Sequence, residues 1–352
     1  MSQRRWDGVD PGLDFGVYVH VPFCTKRCDY CAFATWTDRA HLTEAYVDAV
    51  CTDLARQRDL GMPTASSVFF GGGTPSLLDA ESIARIIASI ERRPGAEVTV
   101  ECNPDTVSFE KLAGYAAGGV ERLSFGVQSM VDHVLVALGR SHDPDNVRAA
   151  VSAARRAGSI ASTLDLIYGG AGGVGGRLAP HDRGGGVARR RPRERLRPHR
   201  RGRHTLGGRS EPASRRRRSG RQVRPRRRTA HRGRTRQLRD LELGPPGEEC
   251  RHNLLYWAQG NYYGAGCAAH SHLDGRRWWA VRSPERYVER VQAGLDTERA
   301  GESLDDDERR IEGLQLALRT RDGVPVGSLD TAGLDEFVED DGVRVRLTRP
   351  GE

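Results

Sequence analysis

The sequence predicts an α/β fold built on a parallel sheet, and three observations predict it. Five short β-rich runs recur through the first half of the chain. A turn follows each run, and apolar residues at helical spacing occupy the intervals between runs. Each helix carries the chain back across the sheet, so successive strands lie side by side and parallel. A polar or Gly-rich residue also stands at the far end of every run, the edge where such folds gather their chemistry.

The first run, "GVYVHVPF" (16–23), leads straight into Cys24. "LTEAYVDAVCTDLARQRDL" (42–60) then repeats its apolar residues with helical period. The second run, "SVFFGGG" (67–73), ends in the turn Gly71 to Thr74, and Asp79 is placed to cap a helix in "DAESIARIIASIERR" (79–93). The third, "EVTVECNP" (97–104), carries Glu101, and the fourth, "RLSFGVQS" (122–129), carries Gln128. Pro144 stands in the first turn of a helix in "PDNVRAAVSAARRAG" (144–158), where its missing N–H is harmless. The fifth run, "STLDLIYG" (162–169), presents Asp165. Near the C-terminus "SPERYVERVQAGL" and "LDDDERRIEGLQLALRT" read as two helices, with Leu304, Leu314, Leu316 and Leu318 as apolar contacts, and "DGVRVRLTRPGE" begins a strand.

The formal charge of +8 does not describe the surface as a whole. Residues 171–247 hold 25 Arg, no Lys and 5 acidic residues, a net +20, which leaves −12 for everything else. The same interval has no Phe, Tyr, Trp, Ile, Met or Asn. It offers neither an apolar face to bury nor aromatic rings to stack bases, so it is expected to be disordered and not to bind nucleic acid. The first residues lack the apolar core of a secretory signal, and no run of about 18 apolar residues occurs, so a cytoplasmic protein without a membrane segment is expected.

Three of the seven cysteines fall within eight residues, in "CTKRCDYC". Cys24, Cys28 and Cys31 follow the first strand with the spacing Cys-x3-Cys-x2-Cys, so one loop can bring three thiolates to a single metal centre. A closed zinc site needs a fourth ligand, and no His or Cys nearby in sequence supplies one. Three thiolates on a cubane leave one iron open to an outside molecule. Cys51, Cys102, Cys250 and Cys267 are expected to be structural.

This motif, with Tyr30 before its third Cys, resembles that of the radical S-adenosylmethionine enzymes, whose open iron chelates S-adenosyl-L-methionine. "GGGTP" at the end of the second run matches the family element that meets the methionine amino group, where glycine lets backbone approach a ligand. "YVHVPFC", "FFGGGTPSLL", "ECNPD", "LSFGVQS", "LGRSH" and "LDLIYG" together look like the oxygen-independent coproporphyrinogen III oxidase branch. The resemblance implies a partial (β/α)6 barrel with a small, mainly helical C-terminal domain. It implies a [4Fe-4S] cluster on Cys24, Cys28 and Cys31. It further implies an S-adenosylmethionine site lined by Tyr18, Tyr30, Gly73, Thr74, Glu101, Gln128, Arg140 and Asp165.

Oxidases of this branch usually carry a fourth Cys two residues after the third, whereas Ala32 and Phe33 follow Cys31 here. That difference, with a short segment before the cluster motif, favours similarity to the heme-chaperone subgroup over the oxidases. "RHNLLYW" agrees: His252, Tyr256 and Trp257 match the subgroup's motif proposed for heme, which implies heme as ligand and a heme-acceptor protein as partner. "GCAA" (266–269) departs from the subgroup's usual Gly-Pro-Gly-Ala, and "YCAF" from its Tyr-Cys-Asp-Phe.

The likeness breaks at about residue 170 and resumes at about 247. Codons compatible with "LRDLELGP" (238–245), read one base later, encode Tyr-Glu-Ile-Ser-Asn-Trp-Ala, the phrase the family places before its Arg-His-Asn. The same offset applied to 196–205 permits a sixth strand. The expected organisation is therefore a barrel part at 1–169, a frameshifted interval at 170–247, the end of the barrel region at 248–280, and a shortened C-terminal domain at 281–352.

Overall fold

The first strand has both faces covered: of β1 (Phe15–Val21) only Tyr18 is not fully buried. That is the environment of a central strand in a parallel sheet, and it explains a run with few polar residues. The computed structural model describes residues 5–140, 143–158, 161–167, 187–190, 236–238, 242–244, 248–318, 320 and 322–348. All of these fall in one unit, Met1–Arg191 with Thr235–Glu352.

The barrel part runs α1 (Thr43–Asp59), β2 (Ala65–Gly72), α2 (Ala80–Ala88), β3 (Arg92–Cys102), α3 (Phe109–Ala117), β4 (Arg122–Gln128), α4 (Asp132–Ala137), α5 (Pro144–Arg156) and β5 (Ala161–Leu166). Strands β1 to β5 are parallel neighbours in chain order. Asp79 caps α2 by accepting from the Ser82 amide at 2.8 Å, and Pro144 opens α5, as the sequence predicts. The helix expected over 79–93 stops at Ala88, because Arg92 to Gly95 join β3 instead. A helix at Phe109–Ala117, capped by Ser108, had no counterpart in the sequence reading.

Residues alternate between the two sides of each strand. Val17, Val19, Val68, Phe70, Val98, Val100, Leu123 and Phe125 pack with Val47, Val50, Ile83, Ile86, Leu112 and Val147 of the helices in one core. Tyr18, Phe69, Thr99 and Arg122 share one level on the concave side, by the strand register.

Three short strands follow, β6 (Val187–Arg190), β7 (Arg236–Leu238) and β8 (Glu242–Gly244). β6 pairs parallel with β5, Asp165 opposite Arg189, so a written segment occupies the sixth place that the shifted frame assigned to 196–205. Apart from these strands, the expectations for 170–247 lie outside the described residues.

The chain then forms α6 (Arg251–Trp257), β9 (Asn261–Ala265), β10 (His270–Leu273), β11 (Arg276–Ala280), α7 (Pro284–Gln292), β12 (Glu298–Ser303), α8 (Asp306–Ala317), β13 (Val324–Pro325), β14 (Val338–Asp340) and β15 (Arg344–Leu347). β9 returns to β1 and pairs parallel with it, Tyr18 opposite Gly264, and β10 to β12 extend that edge antiparallel. The result among the described residues is an open α/β sheet with the architecture of a partial barrel. Both expected C-terminal helices are present, accompanied by strands and the three-stranded sheet β13-β15-β14.

Buried Asp53 on α1 ties this return to the barrel part, accepting from Tyr263 Oη at 2.8 Å and Tyr287 Oη at 2.6 Å. Burial raises its pKa above the ordinary 3.8, against the opposing pull of the donors Tyr287, Tyr263 and Gln57. Protonation is therefore favoured more in the folded chain than in the unfolded one. The corresponding stability is fully present below 3.8 and is lost as pH rises through the folded value. Asp53→Asn keeps an acceptor for both tyrosines without the charge. It is expected to gain stability relative to the parent as pH rises above 3.8, read from urea unfolding at each pH.

Candidate functional site

The loop after β1 is pinned at its two ends. Cys24 N donates to Trp36 O at 3.0 Å and Trp36 N to Pro22 O at 2.8 Å, so residues 24–35 form a closed excursion at the carboxyl edge of the sheet. His20 fastens it from below: its Nε2 meets Ala34 O at 2.9 Å and its Nδ1 meets Tyr18 Oη at 3.2 Å. A carbonyl can only accept, so Nε2 carries the proton and Nδ1 accepts from the tyrosine. Burial lowers the His20 pKa to about 4, which keeps this arrangement neutral.

A solvent-open cleft of about 1070 Å³ lies above, lined by Cys24, Cys28, Cys31, Tyr30, Gly73, Thr74, Glu101, Arg140 and Asp165. Among the described residues no three His, Cys, Asp or Glu side chains are gathered to hold one metal ion. A cubane asks for a wider set, because each thiolate binds a different iron. The three thiols are free, and burial raises the pKa of Cys24 while the Thr74 hydroxyl, 3.5 Å from its Sγ, opposes that rise. A donor aimed at that sulfur suits a thiolate.

The glycine turn is required by contact as well as conformation. Gly72 has φ +106°, and a Cβ there would stand 2.5 Å from the His20 ring. A Cβ on Gly73 would lie 2.6 Å from Phe23 O and 2.8 Å from Val21 O, both backbone, while Gly73 N donates to Val21 O. Gly73→Ala is expected to destabilise the chain by about 1–3 kcal/mol, seen as a lower thermal midpoint, since the backbone must yield.

Across the cleft Arg140 Nε donates to Tyr30 Oη at 3.1 Å, linking the loop to the segment after α4. Asp165 is buried and accepts from Ser124 Oγ at 3.1 Å. Tyr18 and Gln128, two of the sequence candidates, do not line the cleft. Tyr18 stacks on Phe69 at 6.4 Å. Gln128 is buried at φ +63°, and neither amide atom has a hydrogen-bond partner among the described residues. His20 and Ser124 were missed. Ser124 stands two residues before Gly126 and four before Gln128 in "LSFGVQS", a same-face spacing that could have found it.

The motif at 252–257 lies elsewhere. His252 is fully buried under the sheet, its Nδ1 2.9 Å from Ser67 Oγ and its ring stacked on Phe69 at 5.4 Å. Tyr256 meets it edge-on at 4.7 Å. Gly16 leaves room for this ring, since a Cβ there would come within 2.9 Å of His252 Cε1. The opening turn of α6 is held by Glu97, which accepts from Arg251 N at 2.8 Å and pairs with buried Arg122 at 2.9 Å. As folded, the motif closes the floor of the barrel, so iron ligation by His252 would require α6 to lift. Of the three residues expected at heme, His252 is enclosed in this packing, whereas Tyr256 and Trp257 are half-buried.

Residues 18–173 match the Radical SAM superfamily. The solved structure described as "Coproporphyrinogen III oxidase (HemN) from Escherichia coli is a Radical SAM enzyme" aligns with TM-score 0.67 over 97% of this chain and 88% of that one. At 16% identity that likeness shows the fold alone. Cys loop, glycine turn and parallel sheet thus define a radical SAM protein. "Heme chaperone HemW" of Mycobacterium tuberculosis is 35% identical over 351 residues, 92% of this chain and 86% of the relative. Its Synechocystis counterpart is 31% identical over 349 residues, 91% and 81% of the two chains. The chain belongs to the HemW family. No helix among the described residues is long and apolar enough to cross a membrane.

Proposed function

We propose that this chain is a heme chaperone that holds a [4Fe-4S] cluster and S-adenosylmethionine in the cleft and passes heme to an acceptor protein. The observation that carries the reading is the single cleft joining three free thiols to a glycine turn and a buried carboxylate, in a chain of the HemW family. Cys24, Cys28 and Cys31 are the cluster ligands. A cluster so held supplies one open iron and a one-electron reservoir. Gly73 and Thr74 bring backbone close to the methionine end of S-adenosylmethionine, and Glu101 and Asp165 accept from its amino or ribose groups. Arg140 holds Tyr30 against the cleft wall. The curated relatives support heme as cargo by their names.

The oxidase reading belongs to the same fold and is separated by experiment. Anaerobically reconstituted protein is expected to bind hemin and to leave coproporphyrinogen III unchanged with S-adenosylmethionine and a reductant. Formation of protoporphyrinogen IX would assign the oxidase activity instead.

A further inference from the structure

The floor of the barrel and the cysteine loop are joined by one column of side chains. Tyr18 and Phe69 are register partners on β1 and β2, and their rings stack with centroids 6.4 Å apart and planes 20° from parallel. On the floor side, the His252 ring of α6 stacks on Phe69 at 5.4 Å and 23°. On the loop side, Tyr18 Oη donates to His20 Nδ1 at 3.2 Å, and His20 Nε2 donates to Ala34 O at 2.9 Å. The column therefore runs from the motif helix to the loop that carries Cys24, Cys28 and Cys31.

The glycine turn rests on the same rings. Ser67, Phe69 and Gly71 share one face of β2, and Ser67 is the residue that meets His252 Nδ1. A Cβ on Gly71 would stand 3.0 Å from the Tyr18 ring and 3.1 Å from the Phe69 ring, and one on Gly72 2.5 Å from the His20 ring. Packing this close leaves the rings little room to shift independently, so a displacement at one end is passed to the other.

The two ends carry the two ligands of the chaperone reading. Iron ligation by His252 takes its ring off Phe69 and away from Ser67 Oγ. Occupied, the loop and the turn hold Ala34 and Gly71 in place, and through them the Phe69 ring on which His252 closes. Each ligand thus favours a different arrangement of the same side chains, which is the condition for linkage between two sites.

We propose that Phe69, with Tyr18 and His20, is a positioning residue through which occupancy of the cysteine loop and glycine turn weakens heme binding by the motif helix. This rests on the chaperone reading. By reciprocity, bound heme weakens S-adenosylmethionine by the same factor.

The test uses the anaerobically reconstituted full-length chain. Hemin affinity is read by Soret titration without and with saturating S-adenosylmethionine, and S-adenosylmethionine affinity by equilibrium dialysis without and with hemin. In the parent each ligand is expected to weaken the other about tenfold. Phe69→Leu, which stays apolar but cannot stack, is expected to bring that factor to about one, with iron content and far-ultraviolet circular dichroism unchanged. Phe69→Tyr keeps the stack and is expected to keep the factor. Tyr18→Phe keeps the ring, cuts the hydrogen bond to His20 and is expected to give an intermediate factor, which decides the matter should Phe69→Leu fail to fold. Val100→Ala, a core change outside the column, is expected to leave the factor as in the parent. A factor of about one in the parent, or an unchanged factor in Phe69→Leu and Tyr18→Phe, overturns the proposal and leaves the chaperone reading standing. If the parent binds no hemin, the chaperone reading itself falls, and this proposal with it.

Discussion

Replacing Cys24, Cys28 and Cys31 together by Ala is expected to abolish cluster binding: iron and acid-labile sulfide after anaerobic reconstitution should fall from about four per chain to near zero. The three thiols stand at one cleft on a loop tied down by Cys24, Trp36 and His20. The remaining cysteines cannot substitute. Cys102, Cys250 and Cys267 are buried, and Cys51 lies on α1. Burial pushes the Cys267 thiol up to about 12, so it stays protonated and a poor metal ligand at neutral pH. Because the loop lies at the sheet edge, far-ultraviolet circular dichroism should change little. Iron retained by the triple variant would place the cluster elsewhere.

The largest effect on stability is expected from Arg122→Ala. Arg122 and Glu97 pair at 2.9 Å with both side chains under a tenth exposed. Arg122 also donates to Thr163 Oγ1 and to Glu248 O, and Glu97 accepts from Arg251 N at the start of α6. Truncation leaves a carboxylate buried without its cation, which costs about 3–5 kcal/mol, or about 10 °C in thermal midpoint. Glu97→Gln, which still accepts from the Arg251 amide but leaves the guanidinium unpaired, is expected to cost less than Glu97→Ala. Near-parental midpoints for all three would mean that the pair is solvated and that α6 is held by packing alone.

Much of the barrel part was legible because its signals are local. The runs ending at Cys24, Gly73, Glu101, Gln128 and Asp165 became β1 to β5, since parallel strands buried on both sides need uninterrupted apolar stretches. Asp79 marked a helix start through its hydrogen bond from the Ser82 amide, and Pro144 through its fixed φ and missing N–H. The Phe109–Ala117 helix was passed over: Gly114 and Gly118 weaken its pattern, and a Cβ on Gly114 would lie 2.6 Å from Ala80 Cβ of α2. That close approach is a tertiary reason for a locally unfavourable residue. Arg92 read as helix because its partner in β2, Ala65, lies distant in sequence.

By itself the sequence determined the order of strand and helix, the spacing of three thiols and the glycine turn, because each depends on residues that are chain neighbours. Only the tertiary structure decided that β9 returns to flank β1, that Ser124 meets Asp165, and that His252 closes the floor against Phe69. Those relations join residues far apart in the chain, or turn on which side of a strand faces solvent. One His reads like another in sequence, and burial and hydrogen bonding separate them once the sheet has assembled.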